Sequence, residues 1–274
     1  AEVAYYIGVT QSTIKKLHLE GKGPDPETSS SGRRSYSAEQ MLELRAYLDK
    51  HGRPGRRRYV PYRQPGEELH VVSVVNFKGG SGKTTTAAHL AQHLALKGHR
   101  VLAIDLDPQA SLTALHGIQP ELDDVPSLYE TLRYDDERKP IAEVIRPTNF
   151  PNLDIVPASL ELQEYEYDTP VALTSSDPHE GRTFFTRISK ALSEVDDRYD
   201  VVDVMSMSQF LLMLGGIMKT IRDAGANMRL KWFRYLVTRF EPTDGPQKQM
   251  VGFLQAMFPN QMLSAPVLKS TAIS

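Results

Sequence analysis

Residues 79–86 read Gly-Gly-Ser-Gly-Lys-Thr-Thr-Thr. Those residue types, in that order, can do phosphate chemistry. Glycines let backbone N–H groups turn toward phosphate oxygens, and a helix opening at the end of such a loop offers its positive N-terminus. Lys83 is placed to reach β- and γ-phosphates, the Thr84 hydroxyl to ligate Mg²⁺, and Thr85 to touch a phosphate. The usual spacing of these loops, G-x-x-x-x-G-K-[ST], asks for glycine at position 77, where the chain has Phe77. The loop is therefore a variant, in which Gly79, Gly80 and Gly82 flank Ser81 and supply the bends. A second lysine, Lys78, stands at its front edge, a charge that a plain phosphate cradle does not need. Two carboxylates, Asp105 and Asp107, follow the next apolar run. A carboxylate at the carboxyl end of a parallel strand can hold Mg²⁺ through water or orient an attacking water. Equally, one of the two can cap the next helix together with Pro108.

These residues need elements to position them. "LHVVSVV" before the loop reads as a buried strand, "TTTAAHLAQHLALKG" (84–98) as a helix closed by Gly98, and "RVLAIDLDP" as a second buried strand. Strand, loop, helix and strand make a parallel βαβ unit. Further strands are expected at 153–158, 199–202 and 234–240. Residues 1–51 differ in character. Val3, Ala4 and Ile7 recur at helical spacing before Gly8. Thr10 can cap a second helix, 11–20, with Ile14, Leu17 and His18 on its apolar face. A third helix is predicted from Ala38 to about Lys50, with Met41, Leu42, Leu44 and Leu48 facing inward. Residues 20–37 are rich in turn formers, and 52–68 read as a Pro-, Gly- and Arg-rich linker. The fold class is thus α/β, a doubly wound, mostly parallel sheet over 69–274, preceded by a small helical domain.

Charge divides along the same line. Residues 1–66 hold 12 Lys/Arg and 7 Asp/Glu, whereas the rest holds 20 and 27. A basic small segment beside an acidic larger one points the first toward a polyanion. Without cysteine the chain has no disulfide framework and no thiolate zinc site. No run of 18 apolar residues offers a membrane span and no signal pattern opens the chain, so a cytoplasmic protein is expected. The chain begins at Ala1 already in a helical pattern, so further residues are expected before it.

The stretch "KGGSGKTTTAAHLAQHLALKGHRVLAIDLDPQASLTALHG" resembles the deviant Walker ATPases of the ParA class, which segregate plasmids and chromosomes. Together with "DVMSMSQFLLML", "RYLVTRFEPTDGPQ" and "LKSTAIS", nearly the whole chain is similar to the ParA-type partition proteins of repABC plasmids. The resemblance implies ATP or ADP with Mg²⁺, a nucleotide-sandwich homodimer, a ParB/RepB-type centromere-binding partner, DNA binding, repression of the protein's own operon and a nucleoid-associated location. It makes Lys78 the lysine that reaches across the dimer to the partner's nucleotide. It makes Asp107 the residue that positions the hydrolytic water, with Asp105 supporting the metal. "TRFEP" matches the segment that contacts adenine, which places Arg239, Phe240 and Glu241 there.

Residues 1–51 resemble a MerR-type winged helix-turn-helix. On that reading Gln11, Ser12 and Thr13 meet base edges at the N-terminal end of the recognition helix, and Lys15 and Lys16 meet phosphates. "GRRSY" is then the wing, with Arg33 and Arg34 on the backbone or in the minor groove. Arg56, Arg57 and Arg58 are either further DNA contacts or a solvated linker.

One departure stands out. The family carries a Walker B strand ending in Asp and a Pro-rich switch, but here "RYDVV" runs directly into "DVMSMSQF". The family places a helix and a strand between these stretches, and a βαβ unit takes about 30 residues. A missing segment is expected between Val202 and Asp203, and Asp203 is not assigned as a metal ligand. The family also continues beyond Ser274 with further helices. His89 and His93 have zinc-like spacing but no third ligand, so they read as a helix face. The Met-rich run 205–218 reads as core. Two other readings remain. In one, the chain is a DNA-binding repressor with nucleotide as a conformational ligand; in the other, a metabolic phosphate-loop enzyme, which the basic N-terminal segment disfavours.

Overall fold

The computed structural model describes residues 1–52, 58–76, 79–133, 135, 137–165, 187–206 and 231–270. It divides into two compact units. Residues 1–74 and 87–205 make the first; residues 75–86 and 206–274 make the second.

The first unit opens with helices α1 (Glu2–Ile7), α2 (Gln11–Leu19) and α3 (Ala38–Lys50), with a short hairpin, β1 (Glu27–Thr28) and β2 (Arg34–Ser35), between the last two. Gly8 ends α1 in the left-handed region, at φ 82°, as a C-cap glycine does. The Thr10 hydroxyl caps α2 by accepting the Thr13 N–H at 3.2 Å. A full capping box opens α3: Ser37 accepts from the Gln40 N–H, and the Gln40 side chain accepts from the Ser37 N–H. Ala4, Ile7, Met41 and Leu44 form the inner face, while Ile14, Leu17 and His18 are half-buried.

The sheet contains β3 (His70–Val75), β4 (Val101–Leu106), β5 (Arg146–Pro147), β6 (Leu153–Val156) and β7 (Val201–Ser206), in the order β3-β7-β4-β6-β5. β4 and β6 run parallel, and β5 closes one edge antiparallel to β6. α4 (Lys83–Leu96) connects β3 to β4. Its alanines 87, 88, 91 and 95 are buried against residues of β4 and β6; their small side chains let the helix approach the sheet closely. Left-handed Gly98 (φ 97°) then turns the chain into β4. Short helices α5 (Ser111–Leu115), α6 (Pro120–Asp123), α7 (Leu128–Leu132) and α8 (Ile141–Val144) connect β4 to β5.

β4 is buried along its whole length, as its sequence predicts. β3 is not: it lies at a sheet edge and leaves His70, Val71 and Ser73 exposed. Its apolar composition announces burial, but with β7 on one side only its packing is partial. β7 is longer than its sequence signal, because it continues through Asp203 to Ser206. The linker reading of 52–68 also changes. Among its described residues, the Tyr59 and Val60 N–H groups donate to Asp49, and the Arg63 N–H donates to Asp200 at 2.8 Å. The Arg63 guanidinium donates to the carbonyls of Tyr199, Glu67 and Asp196. Residues 59–63 are thus strapped to α3 and to the chain entering β7 rather than free.

In the second unit, the expected strand 234–240 is reduced to two isolated parallel bridges, Tyr235 to Met262 and Phe240 to Leu268. Arg239 lies between them at φ 56°, a left-handed residue that breaks extended pairing. Helix α9 (Gly245–Met257) follows, with Asp244 accepting the Gln247 N–H as its N-cap. No described helix is long and apolar enough to cross a membrane. Most of the Met-rich run lies outside the described residues; Met205 at its start is fully buried.

Candidate functional site

The phosphate-type loop leaves β3 and enters α4 at Lys83. Gly80 (φ 68°) and Gly82 (φ 83°) are both left-handed, a conformation that residues with a Cβ rarely adopt. This confirms the bends assigned to them. The loop is held from the second unit's own distal segment. The Thr238 hydroxyl donates to the Ser81 carbonyl at 2.7 Å, and the Arg239 guanidinium donates to the Gly80 carbonyl at 2.9 Å. With two carbonyls fixed on that side, the loop's shape is braced by residues some 160 positions away in sequence. Thr238 opens the "TRFEP" stretch, but its hold on the loop carries no signal in the sequence.

Lys83, Thr84 and Thr85 open α4, half-buried at its first turn. The Ser81 Oγ is buried and has no hydrogen-bond partner among the described residues. An orphaned hydroxyl in a loop of left-handed glycines, ahead of a lysine at a helix N-terminus, fits a bound polyphosphate. Lys78 lies outside the described residues. Phe240 is half-buried, with its N–H on the Val267 carbonyl, and Glu241 forms an ion pair with Lys269. Arg239 is exposed and engaged with the loop.

Within the first unit, β4 delivers the two carboxylates. Asp105 is fully buried and points inward. Its Oδ1 accepts the Asp107 N–H at 3.1 Å, and its Oδ2 accepts the Thr113 N–H and hydroxyl at 2.9 and 2.8 Å. Burial pushes its carboxyl up to about 6, against these three hydrogen bonds, which favour the charged form. Both of its oxygens are engaged by protein donors. Asp107 is set differently. It is 9 % exposed, and its Oδ1 accepts the Gln109 N–H at 3.0 Å. Among the described residues nothing bonds its Oδ2, which stays available to a water.

Asp203 lies in mid-strand on β7, fully buried, and neither carboxylate oxygen has a partner among the described residues. Desolvation alone pushes its carboxyl up to about 8, so it is held protonated at neutral pH. A neutral acid is a poor Mg²⁺ ligand. No group of three or more acidic, His or Cys side chains that could hold a metal exists among the described residues, His89 and His93 included.

At the N-terminal end, Gln11, Ser12, Lys15 and Lys16 are exposed on α2. The hydroxyls of Ser12 and Thr13 both hydrogen-bond the Thr10 hydroxyl, at 2.7 and 2.9 Å. Lys16 pairs with Glu20 at 3.7 Å. Arg33 and Arg34, at the tip and second strand of the hairpin, are exposed. Arg56 and Arg57 lie outside the described residues, and Arg58 pairs with Asp49 at 3.8 Å. Arg45 was invisible to periodicity. It is 4 % exposed, and its guanidinium donates to the carbonyls of Tyr59 (2.8 Å), Leu96 (3.0 Å) and Tyr6. One buried cation thus joins α1, the strapped segment and the C-terminal end of α4.

Residues 69–215 match the AAA domain family model. A protein named replication protein A from Sinorhizobium fredii (strain NBRC 101917 / NGR234) is 65% identical over the whole chain and 75% of its own length. A second of that name, from Rhizobium rhizogenes, is 47% identical over the whole chain and 76% of its length. Protein SopA of Escherichia coli (strain K12) is 31% identical over 75% of the chain and 51% of its own length. The Sinorhizobium alignment spans 305 positions against 274 residues here, so at least 31 positions have no residue in this chain. Among solved structures, a partition protein has a TM-score of 0.65 at 18% identity, covering 98% of this chain and 84% of its own. Cobyrinic acid a,c-diamide synthase from Mycobacterium smegmatis with bound ADP and magnesium has a TM-score of 0.60 at 24% identity, covering 74% and 87%. A plasmid partition protein from Borrelia burgdorferi B31 bound to AMPPNP has a TM-score of 0.55 at 18% identity, covering 76% and 90%.

Proposed function

Because the chain belongs to the ParA class of P-loop ATPases, among relatives named replication protein A, we propose that it is a plasmid-partition ATPase acting as a nucleotide-dependent dimer on DNA. The observation that carries this reading is the loop of left-handed Gly80 and Gly82 leading into Lys83 at the start of α4.

ATP is the substrate on this reading, and Mg²⁺, when bound, neutralises phosphate charge. The loop amides and Lys83 bind the phosphates, and Thr84 is the protein's metal ligand. Asp107, with Oδ2 available, orients the attacking water. Lys78 supplies a cation to the nucleotide of the opposite protomer, as an arginine finger does. Arg239, Phe240 and Glu241 border the base. Residues 1–51 act as a winged helix-turn-helix: Gln11, Ser12 and Thr13 face bases, and Lys15, Lys16, Arg33 and Arg34 face phosphates. These exposed cations support operator binding and repression of the protein's own operon. A ParB/RepB-type protein is the partner, and the protein works on the nucleoid in the cytoplasm.

We place the relatives' unmatched positions at the Val202–Asp203 junction. A βαβ unit takes about 30 residues, and β7 there draws an acidic residue into the sheet. That observation favours a second reading, in which nucleotide is mainly a conformational ligand and turnover is negligible: the carboxyl that β7 carries in this chain, Asp203, is buried and protonated. Nucleotide affinity and phosphate release, measured on the parent and Lys83→Ala with and without DNA, separate the two. Tight ATP binding with DNA-stimulated release supports the ATPase. Binding without release supports the second reading, and no binding refutes both.

A further inference from the structure

The turn that carries Asp107 is not self-supporting. Ala110 adopts φ 50°, a left-handed conformation in a residue with a Cβ, and the turn closes through the Ala110 N–H on the Asp107 carbonyl at 2.8 Å. Such a residue persists only when its surroundings over-determine it. What surrounds it is Asp105, whose Oδ1 takes the Asp107 N–H, and behind Asp105 stands Thr113. Thr113 is fully buried and uses every polar group it has near the site. Its N–H and its hydroxyl both donate to Asp105 Oδ2. Its hydroxyl oxygen also accepts the Ala158 N–H at 3.0 Å, just beyond β6.

From this geometry we propose that Thr113 is a positioning residue for hydrolysis: it holds Asp105, and Asp105 fixes the turn that aims Asp107. The proposal rests on the reading of Asp107 as the water-orienting carboxylate. The chain of contacts runs from the exit of β6 through Thr113 to Asp105 and then to the backbone of Asp107. It ties two adjacent parallel strands to one turn. Thr113 touches no phosphate on this account, so its loss acts on the chemical step and not on nucleotide affinity. Misplacing a reacting group by about 1 Å costs on the order of a hundredfold in rate.

The test is Thr113→Val, which keeps the side chain's shape and removes the hydroxyl. Phosphate release, counted per bound nucleotide so that any unfolded fraction drops out, is expected to fall roughly ten- to a hundredfold. ATP affinity is expected to stay within about threefold of the parent, and Thr113→Ser to restore release, because only hydroxyl contacts are removed and returned. Thr113→Ala is read alongside as a second variant. Hydrogen exchange of the Asp107 and Ala110 amides, taken without nucleotide, is the second measurement; it should speed up in Thr113→Val and Thr113→Ala and return in Thr113→Ser. Release and exchange both like the parent's would overturn the proposal. Faster exchange with undiminished release would also overturn it, leaving Thr113 purely structural. A parent that binds ATP without releasing phosphate sinks the hydrolysis reading itself. In that case exchange alone decides whether Thr113 holds the turn.

Discussion

Asp203→Val is the sharpest perturbation the structure offers. Valine is close to aspartate in volume, and both carboxylate oxygens of Asp203 are buried without partners among the described residues, so the exchange removes a cost and leaves little cavity. The carboxyl stands at about 8 in the folded protein against an ordinary value of 3.8. Folding therefore takes up a proton between those limits, because the folded state binds one that the unfolded state has released. The sign follows: stability falls as pH rises from about 4 to 8, by about 1.4 kcal/mol per unit, and levels off above 8. At pH 7 the cost is about 3 such steps, on the order of 4 kcal/mol; at pH 5 it is about 2 kcal/mol. Asp203→Val should be more stable than the parent at both, with the gap widening toward pH 8. Urea unfolding followed by circular dichroism at pH 5, 6, 7 and 8 reads this as diverging midpoints at constant slope. Parallel pH profiles would refute the reasoning, since they would mean that Asp203 titrates normally and does not lie in the sheet.

The two loop lysines should separate cleanly. Lys83→Ala is expected to lose at least about tenfold in ATP affinity, from a charge-assisted bond of roughly 1.5–3 kcal/mol. Lys78→Ala keeps that affinity but loses ATP-dependent dimerisation in sedimentation, and a variant that still dimerises and hydrolyses like the parent would return Lys78 to a solvated charge. Arg45→Met removes the donor from three backbone carbonyls and should cost about 2–4 kcal/mol in urea unfolding; an unchanged midpoint would show that water replaces it. Replacing Lys15 or Arg33 should weaken binding to all DNA and flatten its salt dependence, while replacing Gln11 should relax sequence preference. Operator binding that survives deletion of residues 1–51 would rule that assignment out.

Local chemistry made part of this protein legible in one dimension. The glycine positions of the loop, the Thr10 and Ser37 caps, the Gly98 stop and the uninterrupted apolar run of β4 all follow from short-range rules. A cap or a left-handed turn is specified by neighbours within four residues. The N-terminal helices appeared where periodicity placed them for the same reason. Tertiary structure decided the rest, because those outcomes depend on which strands become neighbours. β3 and β4 look equally buried as sequences, yet one lies at an edge and the other between two strands. Asp105 and Asp107 are two residues apart and of one type. β4 ends at Leu106, so Asp105 is held inside the strand against Thr113, whereas Asp107 lies past its end in the turn. Arg45 reads as a charged residue on an exposed face until three carbonyls from distant segments converge on it. Asp203 reads as the first residue after an expected gap until β7 carries it into the middle of the sheet, where no donor among the described residues meets it. Burial and partners are properties of the assembled neighbourhood, and for these four residues they set the charge state, the role and the cost.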